Sequence, residues 1–453
     1  MSQIGRAVAA IAVAVGVAGA LVLGAAGSAA ASGEPRGAVL LWHTETEPQS
    51  VAALGTLIAE FEKLHPGVRI KQEALAWGDL EKRLNAALAA GTPPDLSHGQ
   101  AITCAAFAAK GLLRALDDVV ESLGRDNLIR DFRNLCRVQG KFYGIGHAAA
   151  SSLFVYRKDL FDQKGLKPPR RWNELIEMAA ALTETKDGKV TRYGLTLSGQ
   201  PLFVNIQVGE LLKSNGGRLF DGEGRPTLTE KPVIELLEFY QKLARVLPPD
   251  WLGHSYLDTF AAMASGKAAM QYQAYGRGVG YIEKSAPFEM ADPRHFAVTD
   301  KVVGPSGKGP AAQIDSEPWM VFRQARNPEL AAAFLKFFYR EDNYIRYLHS
   351  VPVHLLPTTR STYRNPRYLE HPTIKKWRSW IDMQEAYFLT DRTRPTLAIE
   401  WSDTRVAPLA ELLDSGIIAD MVHDAVKGMA PAEAAAKAQR RVEDLLARTP
   451  RPQ

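Results

Sequence analysis

From residue 38 onward the apolar positions fall into two alternating periods. "AVLLWHTE" (38–45) is a short apolar run that ends in polar residues, as a buried strand does. "SVAALGTLIAEFEKLHPG" (50–67) then spaces its apolar residues at helical intervals and stops at His65-Pro66-Gly67. "VRIKQEAL" (68–75) alternates and reads as a second strand. "GDLEKRLNAALAAGTPPDLSHGQ" (78–100) supplies a helix, a Gly- and Pro-containing break and a very short strand at Asp95-Leu96-Ser97. This strand–helix–strand–helix–strand order predicts an α/β fold with mainly parallel sheets.

Farther along, "GKFYGIGHAAASSLFVYRKDLF" (140–161) reads as two extended pieces around a small-residue pivot. "RWNELIEMAAALTE" (171–184) predicts a helix and "RYGLTLSG" (192–199) a strand. Residues 232–246 and 256–265 predict helices, and "GKAAMQYQAYG" (266–276) a short strand. "PWMVF" (318–322) predicts a strand followed by the helix "NPELAAAFLKFFY" (327–339), and "PAEAAAKAQRRVEDLLAR" (431–448) a last helix. No internal repeat and no long Pro/Gly/Ser linker separates these elements. Two α/β lobes with several chain crossings fit better than two sequential domains.

The N-terminal residues change where this fold is expected to work. Arg6 precedes the apolar stretch "AVAAIAVAVGVAGALVLGAAG", and "GSAAASGE" (27–34) offers small residues at an A-x-A site. Residues 1–31 therefore predict a signal peptide cut near Ala31 rather than a membrane anchor, and no cysteine stands there to take a lipid. The expected location is periplasmic, or at least extracytoplasmic. The net charge of +5 comes from basic and acidic residues that are interspersed, so nothing suggests a nucleic-acid partner. The two cysteines, Cys104 and Cys136, would be free thiols in a reducing compartment; in an exported chain a disulfide between them is expected.

Several ordered pieces carry a family resemblance: "LIAEFEKLHPGVRI", "LNAALAAGTPPDL", "FAAKGLLRALDDVV", the Y-G-I, Y-x-K-D-L-F and P-x-x-W-x-E-L sequence between 143 and 175, "FAAMASGKAAMQYQAYG", "NPELAAAFLKFFY", "VPVHLLPTTRSTYRNP" and the last helix. In order and spacing they resemble the extracellular solute-binding proteins of ABC importers (family 1), the group related to maltose- and multiple-sugar-binding proteins. The resemblance implies a type II two-lobe periplasmic-binding-protein fold that closes about hinge crossovers on a small solute. The expected division is residues 32–150 and 311–352 in an N-lobe, and 151–310 and 353–453 in a C-lobe. The implied partners are importer permease subunits, for a monomer that needs no cofactor. A chemosensory partner remains open.

In open α/β sheets ligands sit beyond the carboxyl ends of the strands. That rule selects Trp42, His43 and Glu45 after the first strand, Trp77 after the second, and His98 and Gln100 after the third. It selects His147, Ser151 and Ser152 in the crossover, Tyr272, Tyr275 and Arg277 after "KAAMQ", and Asp315, Ser316, Glu317 and Trp319 around "PWMVF". Trp251 joins them through its likeness to loop aromatics of the family. Aromatic rings can pack on sugar faces while carboxylates, amides and imidazoles bond the hydroxyl rim. The aromatics and carboxylates suit a sugar or sugar-like polyol; Arg277, His98 and His43 would suit a glycerol phosphate or phosphodiester. The maltose-specific members carry an aromatic and an acid where this chain has His98 and Gln100, and an acid where it has Ala148–Ala150, which points away from maltose itself. Each aromatic has a plainer reading as core, and Trp172, Trp377, Trp380 and Trp401 are assigned to packing. Two carboxylates such as Glu45 and Glu317 could in principle cleave a glycoside. No G-x-S-x-G, P-loop, H-E-x-x-H or metal-spaced His/Cys cluster occurs, so no enzyme is expected.

Overall fold

The computed structural model of the chain describes residues 36–134, 136–389, 394–396 and 409–448. The expected signal peptide and Trp401 lie outside the described residues. The first apolar run forms β1 (Gly37–His43). Its alternation serves two cores: Val39 and Leu41 meet Leu54, Leu57 and Phe61 of the helix Pro48–Leu64, whereas Trp42 joins Leu80 and Leu84 of the helix Trp77–Ala89. The helix Pro48–Leu64 begins on a proline, where a missing N–H costs nothing, and ends just before His65-Pro66. β2 (Val68–Ala74) and β3 (Leu96–His98) pair in parallel with β1, as helical crossovers demand.

The chain leaves this sheet along β4 (Gly144–Ser151) and continues as β5 (Leu153–Arg157). After β6 (Met270–Ala274) and β7 (Phe296–Thr299) it returns along β8 (Ala311–Val321), and β9 (Arg394–Thr396) adds the last strand. The large sheet has the order β9-β8-β3-β1-β2, with β4 also on β8. A smaller sheet has the order β6-β5-β7. Among these strands parallel pairing joins β1 to β2 and β3, and β8 to β9; β8 runs against both β3 and β4, and the smaller sheet is antiparallel throughout. The outgoing and returning crossovers lie side by side, so they must oppose each other. β5 is buried on both faces, with Leu153 and Val155 in one core and Phe154 and Tyr156 in the other.

The β4–β8 pairing needs glycine. A Cβ at Gly146 would lie 1.9 Å from Ser316 Oγ, and one at Gly144 would lie 2.7 Å from Cys104 Sγ. The register of β8 slips between Ser316 and Pro318, where proline brings no N–H to the ladder. Cys104 and Cys136 are joined by a disulfide, Cα to Cα 5.8 Å, which ties the helix Ala101–Ala109 to the segment entering β4. Closing a loop of that size stabilises by about 3–4 kcal/mol in the chain-entropy picture.

Buried charge fastens the crossovers. Lys301 Nζ donates to Ser152 Oγ at 2.7 Å and to the Leu153 carbonyl at 3.3 Å, and lies 3.2 Å from Glu210 Oε2. Glu210, on the helix Pro201–Ser214, accepts the Gln313 backbone N–H at 2.8 Å. The expected strand at 192–199 does not form as one. Tyr193 and Thr196 make isolated bridges to Ala268 and Gln271, and Gly194 presses so closely on the Ala179 backbone that a Cβ there would lie 1.8 Å from its oxygen.

Candidate functional site

The ends of β1, β3, β4 and β8 bring one cluster together. His98 lies at the end of β3, paired across the ladder with Trp319 of β8. Its Nε2 faces the Thr44 backbone N–H and lies 2.9 Å from Thr44 Oγ1, just past β1. Its Nδ1 is 3.7 Å from Glu317 Oε2. His147 Nδ1 donates to the Glu317 backbone carbonyl at 2.8 Å. A carbonyl can only accept, so the proton is on Nδ1 and Nε2 carries a lone pair. That Nε2 is buried without a hydrogen-bond partner, 3.7 Å from Glu317 Oε2 and 4.0 Å from Glu45 Oε1. His43 stands beside them, with Nε2 3.1 Å from Gln72 Oε1. Burial lowers the basicity of His43 and His147, and that of His98 well below the ordinary imidazole value. All three rings are therefore neutral near pH 7.

Other elements close over the cluster. Arg277, just past β6, donates to Glu45 at 3.1 and 3.3 Å and also contacts Glu47. Tyr275 donates to Gln313 Oε1 at 2.7 Å. Tyr256 stacks on Phe203 with ring centroids 4.6 Å apart and planes 5° from parallel. Its hydroxyl is held protonated by burial, then by Glu45 and other neighbours. Tyr347 stands edge-on to His147 at 5.8 Å, and burial, then Glu45 and Glu317, likewise raises its hydroxyl. His354 is kept neutral by burial, then by Arg277 and His147. Three carboxylates, neutral imidazoles, tyrosines and one engaged guanidinium make a site rich in acceptors and aromatic faces.

The strand-end rule thus gathered His43, Glu45, His98, His147, Tyr275, Arg277 and Glu317. The other selected residues stand elsewhere. Trp319 is 0% exposed; it stacks behind His98 at 5.1 Å and meets Phe338 edge-on. Trp42 is packed among core residues with the Arg83 guanidinium 4.3 Å over its ring. Trp251 and Tyr272 are buried in the second core, Tyr272 under the Lys301 ammonium at 4.2 Å. Ser151 bonds Gln384. Ser152 bonds Lys301, and Gln100 is a half-buried cap residue that makes no side-chain cap bond. Trp77 opens its helix, but its side chain and that of Asp315 lie outside the described residues. Trp172, Trp377 and Trp380 are core side chains. Glu47, Tyr256, Gln313, Tyr347 and His354 were missed. Glu47 was within reach of the rule, two residues past Glu45; Tyr256 and Tyr347 sit on helices, where it does not look. A separate cavity of about 550 Å³, lined by Arg170, Thr299, Asp300 and Met383 among others, shares no residue with the cluster.

Two sheets, antiparallel crossovers between them and a cluster at the strand ends define a type II two-lobe solute-binding protein. The chain belongs to the family of bacterial extracellular solute-binding proteins, whose profile matches residues 45–345. It is 29% identical over 280 residues to a mannitol-binding protein of Pseudomonas aeruginosa, covering 60% of this chain and 63% of that relative. It is 21% identical over 412 residues to YcjN, a putative ABC transporter periplasmic-binding protein of Escherichia coli K12, covering 89% of this chain and 91% of that one. Among solved structures the fold is shared with the GacH receptor of Streptomyces glaucescens (TM-score 0.74, 22% identity, covering 92% and 100%). It is also shared with a ribitol-bound solute-binding protein of Agrobacterium radiobacter K84 (TM-score 0.74, 20% identity, covering 90% and 98%). The family consists of binding proteins, not enzymes. Among the described residues no helix is long and apolar enough to cross a membrane.

Proposed function

We propose that this chain is exported, captures a neutral sugar or polyol between its lobes and delivers it to an ABC importer. One observation carries the choice of a neutral solute. Arg277, the cation best placed to attract an anion, is already engaged by Glu45 and Glu47, while Glu317 adds a further carboxylate and the histidines beside it are uncharged. The floor is therefore net negative and acceptor-rich. Hydroxyl groups donate to such a surface; a phosphate meets repulsion there. The mannitol-binding relative and the ribitol-bound neighbour support a polyol. Glu45, His98, His147, Tyr275, Arg277 and Glu317 form the binding floor in this reading. The signal peptide at 1–31, the lobe boundaries at 150/151, 310/311 and 352/353, the permease partner and the monomeric state belong to the same proposal.

A thermal-shift panel of polyols, mono- and disaccharides and glycerol phosphates tests it. A ligand at 100 times its Kd stabilises the native state by about 2.7 kcal/mol, enough to move the melting temperature by degrees. A shift with a polyol or sugar and none with glycerol 3-phosphate is expected. A shift with the phosphate alone overturns the reading.

A further inference from the structure

We infer that His98, His147 and Glu317 form a binding site for a divalent transition-metal ion of the zinc class at the base of this cluster. His98 Nδ1, His147 Nε2 and a Glu317 carboxylate oxygen lie within 4.8 Å of one another. Both imidazole nitrogens are 3.7 Å from the same Glu317 Oε2. Ligand atoms about 2.0–2.2 Å from a tetrahedral ion lie roughly 3.4 Å apart, so a small contraction completes the set. Two imidazoles and a carboxylate are the ligand chemistry of zinc and its neighbours rather than of calcium or magnesium.

The supports are those a metal site requires. His147 donates its other ring N–H to the Glu317 carbonyl at 2.8 Å, which fixes the tautomer and leaves a buried, unpartnered lone pair on Nε2 aimed into the cluster. His98 is held at Nε2 by Thr44. In this structure that nitrogen accepts the Thr44 backbone N–H, so a metal on Nδ1 requires the ring to move its proton to Nε2 and turn from that N–H to donate to Thr44 Oγ1, 2.9 Å away. Trp319 stacks on His98 and Tyr347 closes on His147, giving the site an apolar wall. Glu45 Oε1, 4.0 Å from His147 Nε2, is in place to enter as a fourth ligand. Glu317 keeps 23% of its side-chain surface exposed while the two rings keep 2% or less, so the ion would be reached from the solvent side past Glu317. The neutral histidines leave the cluster's carboxylate charge for a dication to balance. The site shares His98, His147 and Glu317 with the polyol floor, and a bound dication would balance the floor's charge, so the polyol and phosphate comparison is made on the metal-free chain and the metal titration without solute.

The test uses the tag-free chain, stripped of metal and titrated with Zn²⁺ and with Co²⁺. One equivalent of Zn²⁺ at micromolar or tighter affinity is expected, with Co²⁺ giving the visible absorption of a low-coordinate nitrogen–oxygen site. His147→Gln and Glu317→Gln should each weaken Zn²⁺ about 100-fold or more, and Thr44→Val about 10–100-fold. Circular dichroism without metal confirms that each variant folds, and Glu317→Gln, the partly exposed position, keeps the test open if His147→Gln does not. No Zn²⁺ bound at ~100 μM, or binding undiminished in the folded glutamine variants, overturns the site.

Discussion

Two buried charge clusters in the chain are built in opposite ways. Around Lys301 and Glu210, donors and acceptors balance: one ammonium meets a carboxylate, a hydroxyl and backbone carbonyls, and the carboxylate takes a backbone N–H. Burial disfavours charge on both partners, lowering Lys301 to about 8 and raising Glu210. Around Glu317, His98 and His147, acceptors outnumber donors, and the nearest guanidinium serves Glu45 and Glu47 instead. A balanced cluster holds the crossovers together and leaves nothing to bind. An acceptor-rich one is at its best only when something supplies protons or positive charge. This imbalance, rather than burial or charge alone, separates the candidate site from the scaffold.

The largest effect is expected in the balanced cluster. Lys301→Met strands the Glu210 carboxylate, and about 3–5 kcal/mol should be lost in urea denaturation. An unchanged midpoint would remove Lys301 from the scaffold. Trp319→Ala should also cost about 3–5 kcal/mol, since a fully buried indole leaves a cavity. If stability instead holds and only ligand affinity falls, Trp319 is a sugar platform. On the other side of the comparison, Glu317→Gln should change stability by less than about 1 kcal/mol while weakening the solute by about 1–3 kcal/mol, read by calorimetry. Equal losses in both would place Glu317 with the scaffold.

The smallest effect belongs to charges at the surface. Asp118 feels some desolvation, but Arg114 and Lys336 outweigh it and hold its carboxyl down at about 2. The folded value lies below the unfolded one, so the stabilisation is present above about pH 4 and is lost as pH falls towards 2. Solvent screening keeps it small, and Asp118→Asn should cost about 0.5–1 kcal/mol at pH 7. A steeper loss at pH 2–4 in the variant than in the parent would contradict the assignment.

The sequence showed the scaffold more clearly than the site. Helices such as Pro48–Leu64, Trp172–Leu182 and Pro431–Arg448 stand where apolar spacing put them, because periodicity and proline act locally. The antiparallel course of β8 was not visible, since it depends on where a long excursion returns. The same limit applied to the site. Strand ends picked out His43, Glu45, His98 and Glu317, but no local signal tells a tryptophan that faces a cleft from one that backs a histidine. Glu317 and Trp319 stand two residues apart, a spacing that puts both side chains on one face of a strand. Both do lie against His98 and His147, yet Glu317 is partly exposed while Trp319 is sealed behind the rings. The His98–His147–Glu317 grouping joins three strands distant in sequence, so no motif spacing announces it.

An acceptor-rich, net-negative floor should select a neutral polyhydroxyl solute over its phosphorylated form. Titration calorimetry with a matched pair, a polyol such as mannitol and its phosphomonoester, tests this most directly. One-to-one binding of the polyol is expected, with at least about tenfold weaker binding of the phosphate, a difference of about 1.4 kcal/mol. Tighter binding of the phosphomonoester would contradict it.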